Sequence, residues 1–469
     1  MDLERLITVL GPLEVRGGAP TDIADLAYDT RQVGSGALFF CVPGDRADGH
    51  DFAEEAVARG AAALVVERPV SLPVPQLIVP SSRTAMAVAA DEFFERPTDE
   101  LVLAGVTGTN GKTTTTFLIH SIFDAAGMRP GLIGTIESRV GGEARPAVRT
   151  TPEAIDLQRT FRSMLDAGDR SAAMEATSHG SELGRLEQVR FDALAFTNLT
   201  QDHLDFHGSM DQYYEAKRRL FVEHEPASAA AINVGDEWGR RLAAELRDLD
   251  RAPLLTYGLV GDAELRWEDV DVETRLYGRF NRENMLAAVA VSRLLGVPAA
   301  AIDEGLSRLP GVPGRFESVD EGQPFTVLVD YAHTPDSLAN VLRTARELTG
   351  GQLICVFGCG GDRDRGKRPE MGRIASELAD VAIVTSDNPR SEDPLAIIEE
   401  ILAGAAEDVR VEPDRRAAIA QAVKQAGKRD VVVIAGKGHE QGQEFADRKV
   451  PFDDREVARE ALRRLGAPA

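Results

Sequence analysis

Gly105-Val-Thr-Gly-Thr-Asn-Gly-Lys-Thr-Thr114 follows an apolar run at 101–104 and precedes a helix-like run at 114–123. Strand, glycine-rich turn, helix is the setting of a phosphate-binding loop. Glycines let backbone N–H groups close around phosphate oxygens, and a helix N-terminus adds partial positive charge. In that reading Gly108, Thr109, Asn110, Gly111 and Thr114 cradle a nucleotide, Lys112 reaches its β/γ-phosphates, and the Thr113 hydroxyl serves Mg²⁺. The general pattern G-x-x-x-x-G-K-[ST] is not strictly met, because Val106 stands where its first glycine belongs. The tighter form G-T-N-G-K-T is met from Gly108 to Thr113. A plain turn would not require Lys-Thr directly after its last glycine.

Outward from this loop the chain alternates apolar runs with helix-compatible stretches. Runs recur at 131–134, 172–174, 193–196 and 229–233, and a Pro/Gly-rich turn at 310–314 closes the segment. A second series follows at 325–329, 353–357, 381–384 and 431–434. Such alternation predicts mostly parallel sheets covered by helices, an α/β chain in which ligands sit at the carboxyl ends of strands. Before the loop, apolar runs at 37–42 and 62–65 mark a separate first unit, and Glu95-Arg-Pro-Thr-Asp-Glu100 reads as a linker. Three domains are expected: 1–97, 98–316 with the loop, and a Rossmann-like 317–469.

The 469 residues fit that number. At 43% apolar and 6% aromatic there is material for ordinary cores, and the net charge of −23 argues against a general basic surface for nucleic acid. Cys41, Cys355 and Cys359 form no CxxC pair, which fits a reducing cytoplasm rather than a disulfide or zinc framework. No leader-like N-terminus and no run long enough to span a membrane is seen.

Several polar clusters follow the expected strands. Met174-Glu-Ala-Thr-Ser-His179 supplies Glu175, and Asn198-Leu-Thr-Gln-Asp-His203 supplies His203. A hard cation takes oxygen ligands, so one hydroxyl, one carboxylate and waters would suffice, with imidazole the less usual choice for Mg²⁺. Lys217 lies in a helical pattern whose default is an exposed lysine. Asn281 and Asn284, three apart, share a helix face or cap, and Asn281 alone reads as an N-cap. Arg315 and Asp330 stand at the junction to the third segment, where they complete a nucleotide site or form an interdomain ion pair. Gly358-Cys-Gly-Gly-Asp-Arg363, Asp387-Asn-Pro-Arg390 and Gly436-Lys-Gly-His-Glu440 each follow a strand. Three such loops should converge on one crevice, where arginines and a carboxylate grip a zwitterion.

With Asp29-Thr-Arg31, Asp48-Gly-His50 and Thr150-Thr-Pro152 added, these motifs resemble the Mur ligases over almost the whole chain. The resemblance is to the branch that adds the third residue of the wall peptide. It implies an ATP-dependent amide ligase of peptidoglycan synthesis, with UDP-MurNAc-L-Ala-D-Glu and an amino acid as substrates, ATP as co-substrate and Mg²⁺ as cofactor. A cytoplasmic monomer is expected. By resemblance Lys112, Lys217, His203, Arg315 and Asp330 are catalytic, and Thr113, Glu175, His203 and a carbamoylated Lys217 serve Mg²⁺. Asn281, Asn284 and Arg315 would join the nucleotide loop. Tyr28, Thr30 and Asp45-Arg46-Ala47 would face the uridine end, and Thr150, Thr151, Thr177 and Arg185 the muramoyl peptide. Arg363, Asp387, Asn388, Pro389, Arg390, Gly436 and Glu440 would form the amino-acid pocket.

The Asp-Asn-Pro-Arg motif marks family members that add meso-diaminopimelate. Arg390 can pair the extra carboxylate of that substrate and would repel the ammonium of lysine. Two positions depart from the family pattern: Thr177 replaces a usual serine and keeps the hydroxyl, and Leu183 replaces a common glutamine near the sugar-peptide site. Rival readings are a relative that adds lysine or another diamine, and a non-catalytic nucleotide-binding regulator on the same fold. Folylpolyglutamate synthase shares the ATPase logic but leaves the Asp29-Thr-Arg31 region unexplained.

Overall fold

In the computed structural model, residues 1–18, 22–44, 47–223, 227–250 and 252–466 are described. Three main sheets are stacked along the chain. The first has the order Glu14–Arg16, Gln76–Ile78, Ala61–Val66, Ala37–Phe40, Asp25–Ala27, parallel except for its first strand. The second runs Leu254–Tyr257, Ala230–Asn233, Ala193–Phe196, Val102–Thr107, Ser171–Glu175, Pro130–Ile133, all parallel, then the antiparallel pair Glu137–Val140 and Glu143–Pro146. The third runs Glu317–Ser318, Thr326–Asp330, Val431–Ala435, Leu353–Phe357, Val381–Val384, Arg410–Val411, parallel after its first strand. This is the α/β architecture expected from the alternation of apolar runs. That pattern did not foretell the antiparallel hairpin at 137–146, whose strands are half-buried or exposed and carry Glu and Arg.

The runs are apolar on both sides because helices cover both faces. Leu103, Ala104 and Val106 are wholly buried between two clusters. One is built on Phe161, Leu194 and Phe196, the other on Ile119, Phe123 and Leu286. In the third sheet Cys355 and Val433 face one cluster, Ile354 and Val432 the other. All three cysteines are free and buried.

A wholly buried ion pair, Arg415 with Asp454 at 2.7 Å, ties helix Arg415–Gln425 to the last helix, Asp454–Gly466. Removing one partner would strand a charge, at a cost of about 3–5 kcal/mol.

Strand Val102–Thr107 lies between Ser171–Glu175 and Ala193–Phe196. The loops after those three strands therefore open on one crevice, at the carboxyl ends where such sheets hold ligands. The corresponding edge of the third sheet faces it. No described helix is long and apolar enough to cross a membrane.

Candidate active site

The phosphate loop forms as its glycines require. Gly108 and Gly111 have φ of 144° and 90°, a region that penalises side chains. A Cβ at Gly108 would collide with Thr197 Oγ1, and one at Gly111 with Asn284 Oδ1. Asn198 pins the loop: its Oδ1 accepts from Asn110 N at 2.9 Å and its Nδ2 donates to Asn110 O at 3.1 Å. Helix Lys112–Ala125 then begins with no side-chain cap, leaving its first N–H groups free for a ligand. Thr114 is buried in its first turn.

Two lysines meet on one carbonyl. Lys112 Nζ donates to Gly108 O at 3.0 Å and Thr109 O at 2.8 Å, and Lys217 Nζ donates to the same Gly108 O at 2.9 Å. Lys217 is fully buried over the Tyr213 ring, so the sequence default of an exposed helix lysine is wrong here. Tertiary packing of helix Met210–Val222 turns that face inward. Burial, then the nearby Lys112 charge, holds the Lys217 amine well below its usual range. Burial also lowers Lys112, against the attraction of Glu175 and Asp202.

One cleft is lined by Thr109 to Thr114, Thr135, Thr150, Glu175, Thr177, His203, Asn284, Arg315, Asp330 and His333. Glu175 is buried, and accepts from Thr135 N at 2.7 Å and Thr135 Oγ1 at 2.9 Å. Thr135 Oγ1 and Thr150 Oγ1 are 3.1 Å apart. His203 holds φ 55° at the start of helix Leu204–His207, and its ring meets His179 edge-on. Desolvation lowers its pKa, against the attraction of Asp202 at 3.4 Å. Arg315 Nη2 donates to Thr113 Oγ1 at 3.0 Å and lies over Tyr331. Asp330 accepts from Phe316 N at 2.6 Å and Ala332 N at 2.7 Å, yet burial pushes its carboxyl up to about 6. Asn281 is not an N-cap. Gly278 takes that place, and Asn281, inside helix Arg279–Leu294, donates from Nδ2 to Tyr277 O at 2.8 Å. Asn284 Nδ2 donates to Asn281 Oδ1 at 3.3 Å, so the two do share a face.

A second cavity continues from Lys112, His203 and Lys217 past Thr150, Thr151, Thr177, His179 and Arg185 to Arg149. Thr151 Oγ1 donates to Glu175 O at 2.8 Å and accepts from Thr177 Oγ1 at 3.0 Å, coupling this arm to the first cleft. Leu183 ends the short helix Ser178–Glu182. Sequence reasoning missed Glu153. This buried carboxylate gathers three guanidiniums: Arg149 at 2.9 Å, Arg185 at 2.9 Å, and Arg83 of the N-terminal unit at 3.2 Å. Its only sequence signal was its place after Thr150-Thr-Pro152.

In the N-terminal unit Tyr28 is half-buried and donates to Asp156 Oδ2 at 2.6 Å on helix Ala154–Asp166. Thr30 opens a 3₁₀ turn capped by Asp29, and Ala47 is exposed. Asp45 and Arg46 lie outside the described residues.

The three loops of the third sheet do converge. Asn388 Nδ2 donates to Glu440 Oε2 at 2.8 Å, and Arg390 Nη1 donates to Gly361 O at 2.6 Å. A Cβ at Gly436 would collide with Asp387 Oδ2. Pro389 is buried, and Arg363 projects into solvent. Burial and repulsion from Asp387 raise the Glu440 carboxyl.

Among the described residues, polar contacts join the third unit to the nucleotide loop and to the loop after Ala193–Phe196, where Gln201 Nε2 donates to Asp364 Oδ2 at 3.4 Å. Asn110 Nδ2 donates to Asp336 Oδ2 at 3.0 Å, and His333 Nε2 lies 4.0 Å from Asp202. Asn110→Ala and Asp336→Ala should each raise the KM for ATP at least about tenfold, and less than multiplicatively together, since a hydrogen bond to a charged group is worth about 1.5–3 kcal/mol. Fully independent effects in the four-protein cycle would show that the contact does not contribute.

A phosphate loop thus faces a second doubly wound sheet across a cleft lined by Glu175, Asp202 and Asp330, an arrangement suited to a nucleotide-dependent reaction. The sequence matches the Mur ligase family catalytic domain at 22–109, the Mur ligase middle domain at 106–292, and the Mur ligase glutamate ligase domain at 314–438. This chain belongs to the Mur ligase family. A relative from Geobacillus thermodenitrificans, named UDP-N-acetylmuramoyl-L-alanyl-D-glutamate--2,6-diaminopimelate ligase, is 47% identical over 99% of both chains. One of the same name from Solibacter usitatus is 46% identical over 96% of this chain and 95% of its own. A solved structure of that ligase matches with TM-score 0.69 and 32% identity over 100% of both chains. The MurF ligase from Thermotoga maritima in complex with ADP, 20% identical, shares the fold at TM-score 0.61 over 94% of this chain and 97% of its own.

Proposed function

We propose that the protein joins meso-diaminopimelate to the D-Glu carboxylate of UDP-MurNAc-L-Ala-D-Glu, with ATP as co-substrate, in peptidoglycan precursor synthesis. The observation that carries the amino-acid choice is the pocket joining Asp387-Asn-Pro-Arg390 to Glu440 on the edge facing the phosphate loop. Two acidic groups there suit an ammonium, and Arg390 suits a carboxylate, with Arg363 exposed on the neighbouring loop. The relatives named for this activity at 46–47% identity support the same reading.

The units divide the work as 1–97 for the uridine end, 98–316 for ATP, and 317–469 for the amino acid. Gly108 to Thr114, Asn281, Asn284 and Arg315 hold the nucleotide. Tyr28, Thr30 and the 45–47 loop take the uridine side, and Thr150, Thr151, Thr177 and Arg185 the peptide. The donor set fits Mg²⁺: the Glu175 carboxylate and the Thr113 hydroxyl are hard oxygen ligands on one cleft, and His203 is an imidazole beside them. Lys217 would join as a carbamate, which its desolvated amine favours. Bound there, the ion would neutralise charge on the phosphates.

The substrate carboxylate attacks the γ-phosphorus in line, and ADP leaves. Lys112 and Arg315 stabilise the charge that develops on the phosphoryl oxygens. The amine of the amino acid then attacks the acyl carbon, loses a proton, and expels inorganic phosphate. Asp330 positions Arg315 by fixing the backbone at Phe316.

Phosphate release that depends on both UDP-MurNAc-L-Ala-D-Glu and an added amino acid tests this directly. The kcat/KM for meso-diaminopimelate should exceed that for L-lysine at least tenfold. The basis is the loss of a charge-assisted hydrogen bond, about 1.5–3 kcal/mol. Arg390→Ala should raise the diaminopimelate KM strongly and the ATP KM little. A preference for lysine would overturn the specificity and leave the ligase standing, while failure with every diamine alongside tight ATP binding would favour a regulator.

A further inference from the structure

Lys437 sits between the two halves of the amino-acid pocket and is completely inaccessible to solvent. Its Nζ donates to Asn388 Oδ1 at 2.6 Å, to Gly442 O at 2.8 Å and to Glu440 Oε2 at 3.3 Å, and lies 3.6 Å from Asp387 Oδ1. An ammonium has three N–H groups, and all three are used here. Asn388 Oδ1 also accepts from Glu444 N at 3.0 Å, so its amide is locked with Nδ2 aimed at Glu440. One buried cation thus fixes the rotamers of two side chains from different loops.

We propose that Lys437 is a positioning residue for amino-acid recognition: it sets the Asn388 amide and the Glu440 carboxylate in the geometry that receives the substrate's ammonium group. This rests on the functional reading above. The charges support it. Asp387 and Glu440 bring two negative charges and Lys437 returns one positive charge, while Arg390 is paired with Glu444 and Arg415 with Asp454. One negative charge is left for a ligand ammonium.

The variant that tests this is Lys437→Met, which keeps the alkyl volume and removes the cation, with Lys437→Gln as a shorter neutral donor. Initial rates are taken while ATP, UDP-MurNAc-L-Ala-D-Glu and the amino acid that the wild type uses best are titrated in turn. The expected result is at least a tenfold rise in the amino-acid KM, with the ATP KM within twofold of wild type.

A second readout separates positioning from mere stability. Glu440 faces Asp387, Asn388, Lys437, Arg415 and the Tyr331 hydroxyl, and of these only Lys437 and Arg415 are cations. Without Lys437, Glu440 should stay protonated to higher pH, so the acidic limb of the amino-acid kcat/KM should move up by about one pH unit. A lower melting temperature with unchanged amino-acid KM and an unmoved limb would overturn the proposal, as would failure of both variants to fold. Wild-type protein that uses no amino acid would overturn the functional reading and this proposal with it. Wild-type use of another amino acid would overturn only the substrate choice.

Discussion

Lys112→Ala is expected to lower kcat by a factor of about 10²–10³ or more while the protein stays folded, because it removes one preorganised donor from the transferred phosphoryl group. The folded state should survive. Lys112 bonds only to carbonyls of its own loop, and Gly108 O keeps Lys217 as a donor when Lys112 is gone. Thr109 itself lines the cleft. Turnover with saturating substrates, beside a thermal melt, checks this. Wild-type turnover from the folded variant would remove Lys112 from the chemistry.

Lys217→Ala should be of similar size in activity, with a signature no structural lysine would give. Carbamoylation attaches CO₂ through the neutral amine, which loses a proton and becomes an anion, and burial beside Lys112 favours that neutral amine. If the carbamate is the working group, the alanine variant leaves a side-chain-sized space, and millimolar formate or acetate should restore part of the rate. Truncating so buried a side chain also costs about 2–5 kcal/mol of stability, so a melt and a nucleotide-binding measurement must accompany the rates. Full activity without rescue would take Lys217 out of the site. Lost activity with no rescue by any short carboxylate, in a folded protein, would make it a structural lysine.

Much of the fold was legible because the inner parallel strands are covered on both faces and so read as unbroken apolar runs. The phosphate loop was legible because its glycines answer local demands: backbone at φ 144° and 90°, with neighbours where a Cβ would stand. The convergence of the 358–363, 387–390 and 436–440 loops followed from a rule about strand ends.

What escaped is long-range. Lys217 sits among Glu215, Arg218 and Arg219, which look like a solvated helix face, and only packing against the phosphate loop makes it buried. Asn281 carries a capping residue's chemistry, but the helix starts earlier, at Arg279. The Tyr28–Asp156 bond spans 128 residues, and the Glu153 cluster draws on segments up to 70 residues away in sequence. Neither leaves a local pattern.

The Glu153 cluster also bears on how an anionic substrate arrives. The chain carries a net charge of −23, so at long range it repels an anionic ligand. Along the cavity past Thr150 and Thr177, however, Arg149 and Arg185 line the wall and share the single Glu153 carboxylate, leaving an excess of one positive charge. At physiological ionic strength the screening length is about 8 Å, which mutes the distant repulsion and leaves the nearby attraction largely in force. Raising salt from very low concentrations should therefore first speed the encounter by hiding the bulk charge, and then slow it once the arginine-lined wall itself is shielded.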